Sequence, residues 1–196
     1  MSVRTEIVGP DQFDDVATLF GPNGAIAGCW CMWWRKPNKD WNAATGQTNR
    51  EGFETAVRSG APVGLLAYSA AGAPVGWIAT APRPAYPRLL RSNTLRLPDQ
   101  QDPAIWSAPC LFIHRDHRRT GIGTALLGAA VDYARSQGAT ALEGYPTVDG
   151  GRKRGSNELF TGTVAMFLDN DFAEHARPPG ARLVMRRDLA GPGRPR

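Results

Sequence analysis

The stretch Cys110–Leu127, CLFIHRDHRRTGIGTALL, allows few structures. An apolar run ends at His114, a basic turn follows, and two glycines lead at once into a helical pattern. Ile122, Ala125, Leu126, Ala129, Ala130, Tyr133 and Ala134 recur at i, i+3 and i+4, the stripe of a helix buried along one face. Gly138 stands where such a helix ends. The pattern therefore predicts a strand, a tight turn and a helix over Gly121–Gln137. The first amides of a helix have no acceptor inside it, and the macrodipole favours an anion in front of them. A pyrophosphate would satisfy several of those donors together. Gly121 and Gly123 carry no Cβ, so a phosphate could approach the backbone, and Arg115, Arg118 and Arg119 add positive charge. No Gly-Lys-Ser/Thr follows, which excludes a P-loop. Leu126 stands where a dinucleotide fingerprint needs its third glycine. A strand–helix turn without a ligand would satisfy the same pattern; the strand before it and the long helix after it favour an anion site.

The rest of the chain supplies the layers around this unit. Arg4–Val8 reads as a strand. A helix beginning at Pro10 and Asp11 follows, with Phe13, Val16, Ala17 and Phe20 on one face. Thr48 and Glu51 suggest a capping box for a second helix that carries Phe53, Ala56 and Val57. Val63–Tyr68 and Val75–Ala79 flank the small-residue turn SAAGAP and read as a hairpin. The Pro- and Arg-rich stretch 82–104 has no clean period and reads as a long surface loop, fit to serve as a substrate lid or a homodimer contact. Pro109 cannot donate to a sheet ladder, so a break or bulge is expected there. Ala141–Tyr145 is a strand closed by Pro146. A helix near Gly162–Asp169 and strands Phe172–His175 and Arg182–Asp188 complete the order. The expectation is an α+β fold: a mixed, partly antiparallel sheet of about six or seven strands flanked by about four helices. Residues 1–189 would form a single domain, with 190–196 as a disordered tail.

Composition removes several alternatives. Net charge is +5, which suits an anionic small ligand, and no zinc-finger or RNA-recognition spacing argues for nucleic acid. No apolar run is long enough for a membrane span, and the N-terminal residues lack a signal-like apolar core, so a cytoplasmic location is expected. The three cysteines, Cys29, Cys31 and Cys110, are too few and odd in number for a disulfide framework. Cys29-x-Cys31 is a weak metal signal beside only three histidines, and no metal is expected.

At Arg118-Arg119-Thr120-Gly121-Ile122-Gly123 the sequence resembles the GNAT superfamily of N-acetyltransferases, whose signature is Arg/Gln-x-x-Gly-x-Gly/Ala. The element order resembles that family from about Arg4 to Asp188, and Met166–Phe172, MFLDNDF, is similar to its Tyr-x-x-x-Gly-Phe motif. The resemblance implies acetyl-CoA as cosubstrate. Its pantetheine would lie against the backbone of Leu111, Phe112 and Ile113, where that strand splays from the one carrying Tyr145. Its pyrophosphate would rest on Arg118, Arg119, Thr120, Gly121, Ile122, Gly123 and Thr124. It further implies transfer of an acetyl group to a primary amine by direct attack on the thioester.

Such an attack needs a free amine. Deprotonating an alkylammonium at neutral pH costs roughly 4–5 kcal/mol, which a general base helps to supply. Glu143, two residues before Tyr145 and so on the same strand face, is the preferred base, with Glu158 and His114 as alternatives. The tyrosine the family often uses as a general acid is matched by Phe167, so Tyr145 becomes the substitute candidate, or else an aromatic packed beside Pro146. That missing phenol also supports a second expectation, a CoA-binding or regulatory module without catalysis. The family commonly walls its acceptor site with the segment between the first two helices. Here that segment holds Trp30, Trp33, Trp34 and Arg35. The tryptophans can form an aromatic floor or ordinary core, and Arg35 can pair with a substrate carboxylate. The aromatic character leans the acceptor towards a small-molecule amine.

Overall fold

Seven strands form one sheet in the order β1-β2-β3-β4-β5-β7-β6 in the computed structural model, which describes residues 3–92, 95, 97–99, 101–148, 155, 158–178 and 182–189. In chain order the elements are β1 (Arg4–Ile7), α1 (Phe13–Phe20), α2 (Asn38–Asn42), α3 (Gly46–Arg58), β2 (Gly64–Tyr68), β3 (Pro74–Pro82), α4 (Pro87–Leu90), β4 (Ile105–Ile113), α5 (Ile122–Ser136), β5 (Ala141–Gly144), α6 (Val164–Leu168), β6 (Ala173–Ala176) and β7 (Val184–Asp188). All neighbours are antiparallel except β4 and β5, which α5 joins as a parallel crossover. The mixed sheet agrees with expectation. There are six described α segments rather than about four, because α2 and α4 are single turns inside stretches that carry no helical period. The expected tail, 190–196, lies outside the described residues, as does most of the polar loop 147–157.

Alternating side chains on the strands feed two layers. Leu65, Ile78, Trp106 and Leu142 face α5, whose Leu126, Leu127, Ala130 and Ala134 are fully buried against them. Truncating Leu126 to Ala would cost about 2–5 kcal/mol through lost contacts and a residual cavity. On the opposite face, Leu66, Tyr68 and Trp77 pack under α1 and α3, with Trp77 edge to face on Phe20 and Phe53 at 5.9 and 5.6 Å. α3 begins two residues before the expected Thr48. Thr45 is its cap, accepting from the Thr48 amide at 3.2 Å while the Thr48 hydroxyl accepts from the Thr45 amide at 2.9 Å.

β4 is longer than its apolar C-terminal half suggests, and Pro109 lies inside it. Ala79 pairs with Cys110 but Ala81 with Ser107, so two residues of β4, Ala108 and Pro109, stand opposite Thr80 alone. This bulge is where the prolyl nitrogen fails to donate. The extra residue also flips the strand's phase. Trp106 and Ala108 face α5, whereas beyond the bulge it is Leu111 and Ile113 that do so, and Cys110 and Phe112 turn to the other side. The β4–β5 ladder ends at Ala108↔Gly144, so the two strands part immediately after the bulge.

Stretch 82–104 is not a free surface loop. Tyr86, Leu89 and Leu95 are buried with Trp34, Tyr145 and Val184, covering the β4–β7 half of the sheet face opposite α5.

Candidate active site

Parting β4 from β5 opens a groove of about 680 Å³. Its walls are Leu111, Phe112 and Ile113 of β4, the turn Arg118–Thr124, and Leu159–Met166 before and within α6. The first amide of α5 with an acceptor in its own turn belongs to Ala125, bonded to the Gly121 carbonyl at 3.0 Å. The amides of Ile122, Gly123 and Thr124 thus stand ahead of the first intrahelical bond, and all three residues line the groove. Gly121 caps the helix at φ +83°, a left-handed conformation that favours glycine. A Cβ built there would meet nothing within 4 Å, so the turn opens outward. At Gly123 a Cβ would lie 3.1 Å from Met166 Sδ and 3.3 Å from Leu111 Cδ2, so a larger residue would project into the groove wall. The Thr120 hydroxyl holds the turn by donating to the His117 carbonyl at 2.6 Å. A doubly charged diphosphate fits this front of α5: unpaired donors, a positive helix end, open space and arginines.

The β4 backbone is less available than the resemblance implies. The Leu111 amide already donates to the Phe160 carbonyl at 2.6 Å, and the Ile113 carbonyl accepts from Arg118 Nε at 3.1 Å. An amide left without a ladder partner by the parting strands finds one in the segment before α6. Leu111 and Ile113 therefore contribute apolar side chains to the groove and not free backbone groups at those two atoms.

Glu143 and Tyr145 do not face the groove. Ser107, Glu143 and Arg186 are neighbours across β4, β5 and β7, on the face covered by stretch 82–104. The Glu143 carboxylate is fully buried and doubly paired: Oε2 accepts from Arg83 Nη1 at 2.7 Å, Oε1 from Arg186 Nη2 at 2.6 Å. Asp99 closes the cluster with 2.9 and 2.8 Å pairs to the same two arginines. Burial would raise the Asp99 carboxyl, but hydrogen bonds from Arg186 and Arg83 outweigh it and hold it at about 2. The Tyr145 hydroxyl donates to Glu143 Oε2 at 3.1 Å and lies 2.8 Å from the Ser107 hydroxyl. Burial, with the Glu143 charge beside it, pushes this phenol well above its ordinary value. The shared strand face of Glu143 and Tyr145 is as expected. The direction of that face is corrected, because the arginines of stretch 82–104 and β7 claim it. Phe167 is also buried, stacked edge to face on Phe172 at 5.0 Å.

The tryptophan segment divides. Trp30 is core, edge to face with Phe20 at 5.7 Å, and does not line the groove. Arg35 is tied back, donating to the Pro62 carbonyl at 3.2 Å with its guanidinium 4.9 Å from the Tyr86 ring. Trp33 and Trp34 instead line a second cavity of about 480 Å³, with Pro37, Lys39, Arg88, Arg91, Leu95 and Arg182. Arg88 lies 3.8 Å over the Trp33 ring and donates to the Trp33 carbonyl at 2.6 Å. Arg182 lies 5.5 Å from the Trp34 ring and 5.1 Å from the Phe160 ring. Phe160 also lines the first groove, so the Phe160–Trp34–Arg182 stack is a wall common to both cavities. Arg88, Arg91 and Arg182 were not singled out in the sequence; the density of arginine and proline in 82–104 marks the first two, and no local pattern marks Arg182. Among the described residues no group of three His, Cys, Asp or Glu side chains could hold a metal, and no helix is long and apolar enough to cross a membrane.

A mixed sheet with one parallel pair, parted beside a helix whose free amides face the gap, defines an acyltransferase that grips a diphosphate-bearing donor. Residues 24–151 match the Acetyltransferase (GNAT) family, and the chain belongs to it. Solved structures share the fold at low identity. A phosphinothricin acetyltransferase from Sinorhizobium meliloti in complex with acetyl-CoA is 15% identical, with 96% of this chain and 89% of that one covered and a TM-score of 0.54. An N-acetyltransferase from Staphylococcus aureus Mu50 is 15% identical over 97% and 100% at 0.55. The PaiA N-acetyltransferase from Thermoplasma acidophilum in complex with coenzyme A is 11% identical over 96% and 99% at 0.53. No curated protein sequence matches the chain.

Proposed function

We propose that this protein transfers the acetyl group of acetyl-CoA to the primary amine of a small molecule, by direct attack of the amine on the thioester. The observation that carries the reading is the open front of α5: three helix-start amides and the Arg118–Gly121 turn lining a groove large enough for a pantetheine arm. Two of the similar solved structures hold acetyl-CoA or coenzyme A. The second cavity supports a small acceptor, because it is bounded on one side by the wall it shares with the groove.

In the reaction the amine lone pair forms a bond to the thioester carbon, the carbon–sulfur bond breaks, and the thiolate leaves. One proton passes from the ammonium nitrogen to solvent or to the thiolate. What this chain contributes is grip and exclusion of water. The amides and arginines of 118–124 fix the diphosphate, and the apolar side chains of Leu111, Ile113, Phe160 and Met166 dry the path to the strand gap. Glu143 and Tyr145 act as positioning residues that hold β4, β5 and β7 together behind the gap.

The test is Gly123→Asp. An acidic residue in the first turn suits the helix, and the Met166 and Leu111 side chains need give way by only a few tenths of an ångström, so the fold is expected to be kept and is checked by circular dichroism. The same carboxylate meets the diphosphate, so calorimetry is expected to show CoA affinity reduced at least 100-fold. A folded variant with unchanged affinity would place the donor elsewhere. Release of free thiol from acetyl-CoA in the presence of amines distinguishes transfer from binding alone.

A further inference from the structure

Two sets of arginines beside the strand gap and the second cavity contrast in their partners. Arg83 and Arg186, behind the strand gap, are each matched to carboxylates. The cations around the second cavity are not. Lys39, Arg88, Arg91 and Arg182 line it, and among the described residues no acidic side chain lines it and none of the four has a carboxylate partner. Arg88 Nη2, Arg182 Nη1 and Trp34 Nε1 are buried donors without an acceptor there. Burial lowers both Arg88 and Arg182 from the ordinary guanidinium value. Two guanidinium groups stacked on aromatic rings, Arg182 largely buried and Arg88 partly so, with donors to spare, make a site suited to an anion.

We propose that the second cavity is the acceptor site and that it selects amines bearing a carboxylate, the amino-acid class, with the carboxylate seated between Arg88 and Arg182. This rests on the acetyl-transfer reading and narrows its substrate. Trp33 and Trp34 hold the two guanidinium groups in place and offer an apolar wall for the acceptor's carbon skeleton. Arg182, stacked on both Trp34 and Phe160, puts the anion at the side of the cavity next to the donor groove. The amine of a short amino acid is then directed towards the strand gap. Arg91 and Lys39, both exposed, add field at the entrance.

The experiment compares free L-amino acids with their carboxamides, which keep skeleton and amine but lose the charge. Turnover is followed by thiol release, and binding is followed separately by tryptophan fluorescence. The expected result is a kcat/KM at least tenfold higher for an acid than for its amide. Arg88→Met and Arg182→Met should remove that preference, chiefly by raising KM for the acid. Arg88→Lys and Arg182→Lys should restore part of it, and Arg91→Met, on an exposed side chain that cannot endanger the fold, should lower it a few-fold. Acids and amides used equally well, or a preference for neutral or cationic amines, overturns the proposal and leaves acetyl transfer standing. Saturable binding of acids with no acetylation of any amine supports the anion site and overturns the transfer reading. No saturable fluorescence change with any acid overturns the anion site whatever the turnover.

Discussion

The two cavities are built from different materials. The donor groove is made by regular elements: a strand that parts from its neighbour at a proline bulge, and a helix that begins at a left-handed glycine. What it offers a ligand is largely backbone, and its shape follows from sheet and helix geometry. The second cavity is made by side chains on short or irregular segments: the stretch before and into α2, the turns around α4, and Arg182 ahead of β7. What it offers is charge and aromatic surface. A backbone site tolerates much change in sequence, whereas a side-chain site changes with each substitution.

The comparison can be broken hardest at Glu143. If the irregular half is held to the sheet by the cluster of Glu143, Asp99, Arg83 and Arg186, then Glu143→Gln leaves buried Arg83 and partly buried Arg186 short of a charge. Breaking a buried pair of this kind costs about 3–5 kcal/mol. The expected outcome is a large fall in denaturation midpoint, with whatever folded protein remains still binding CoA. A variant of normal stability whose rate falls mainly at low pH would instead restore Glu143 as a base.

Acid is a gentler probe of the same cluster. The Asp99 carboxyl is held at about 2 in the folded protein, below its ordinary value near 4. A depressed carboxyl stabilises the fold above its unfolded pKa and ceases to do so as pH falls through the folded one. Stability contributed by Asp99 is therefore complete above about pH 4 and is lost towards pH 2. Asp99→Asn should flatten that part of a stability–pH curve. An unchanged curve would mean that Asp99 is solvated and that stretch 82–104 is pinned by Arg83 and Glu143 alone.

What was legible in the sequence follows the same division. The α5 stripe, the Arg118–Gly123 turn and the break at Pro109 are local patterns, and each is found where its residues place it. The seven-strand order was not legible, because pairing between distant strands leaves no local mark. The shared face of Glu143 and Tyr145 was readable from their spacing, yet which layer covers that face depends on Arg83 and Asp99, forty or more residues away. Trp30 and Trp33 are three residues apart in an aromatic run, and nothing local says that one is core and the other cavity wall. In MFLDNDF the family's glycine is replaced by Asp171, which nevertheless adopts φ +59°, so the backbone kept a conformation its residue does not favour.

The smallest effect lies in the segment that leads to Trp33 and Trp34. Ala25, Ala27, Trp30 and Cys31 all have φ between +46° and +69° without being glycine. A left-handed residue with a Cβ costs roughly 1–2 kcal/mol. Ala27 is exposed, so its substitution tests conformation with little change in packing. Ala27→Gly removes the steric cost but adds freedom to the unfolded chain, which takes back part of the gain. A net rise of about 0.5–1 kcal/mol is expected, read as a small increase in melting temperature. If the strained backbone serves to present the cavity's tryptophans, the same variant should bind the acceptor more weakly while its CoA affinity holds. Equal loss at both sites would show that the segment supports the sheet as a whole, and the two cavities would not be independent.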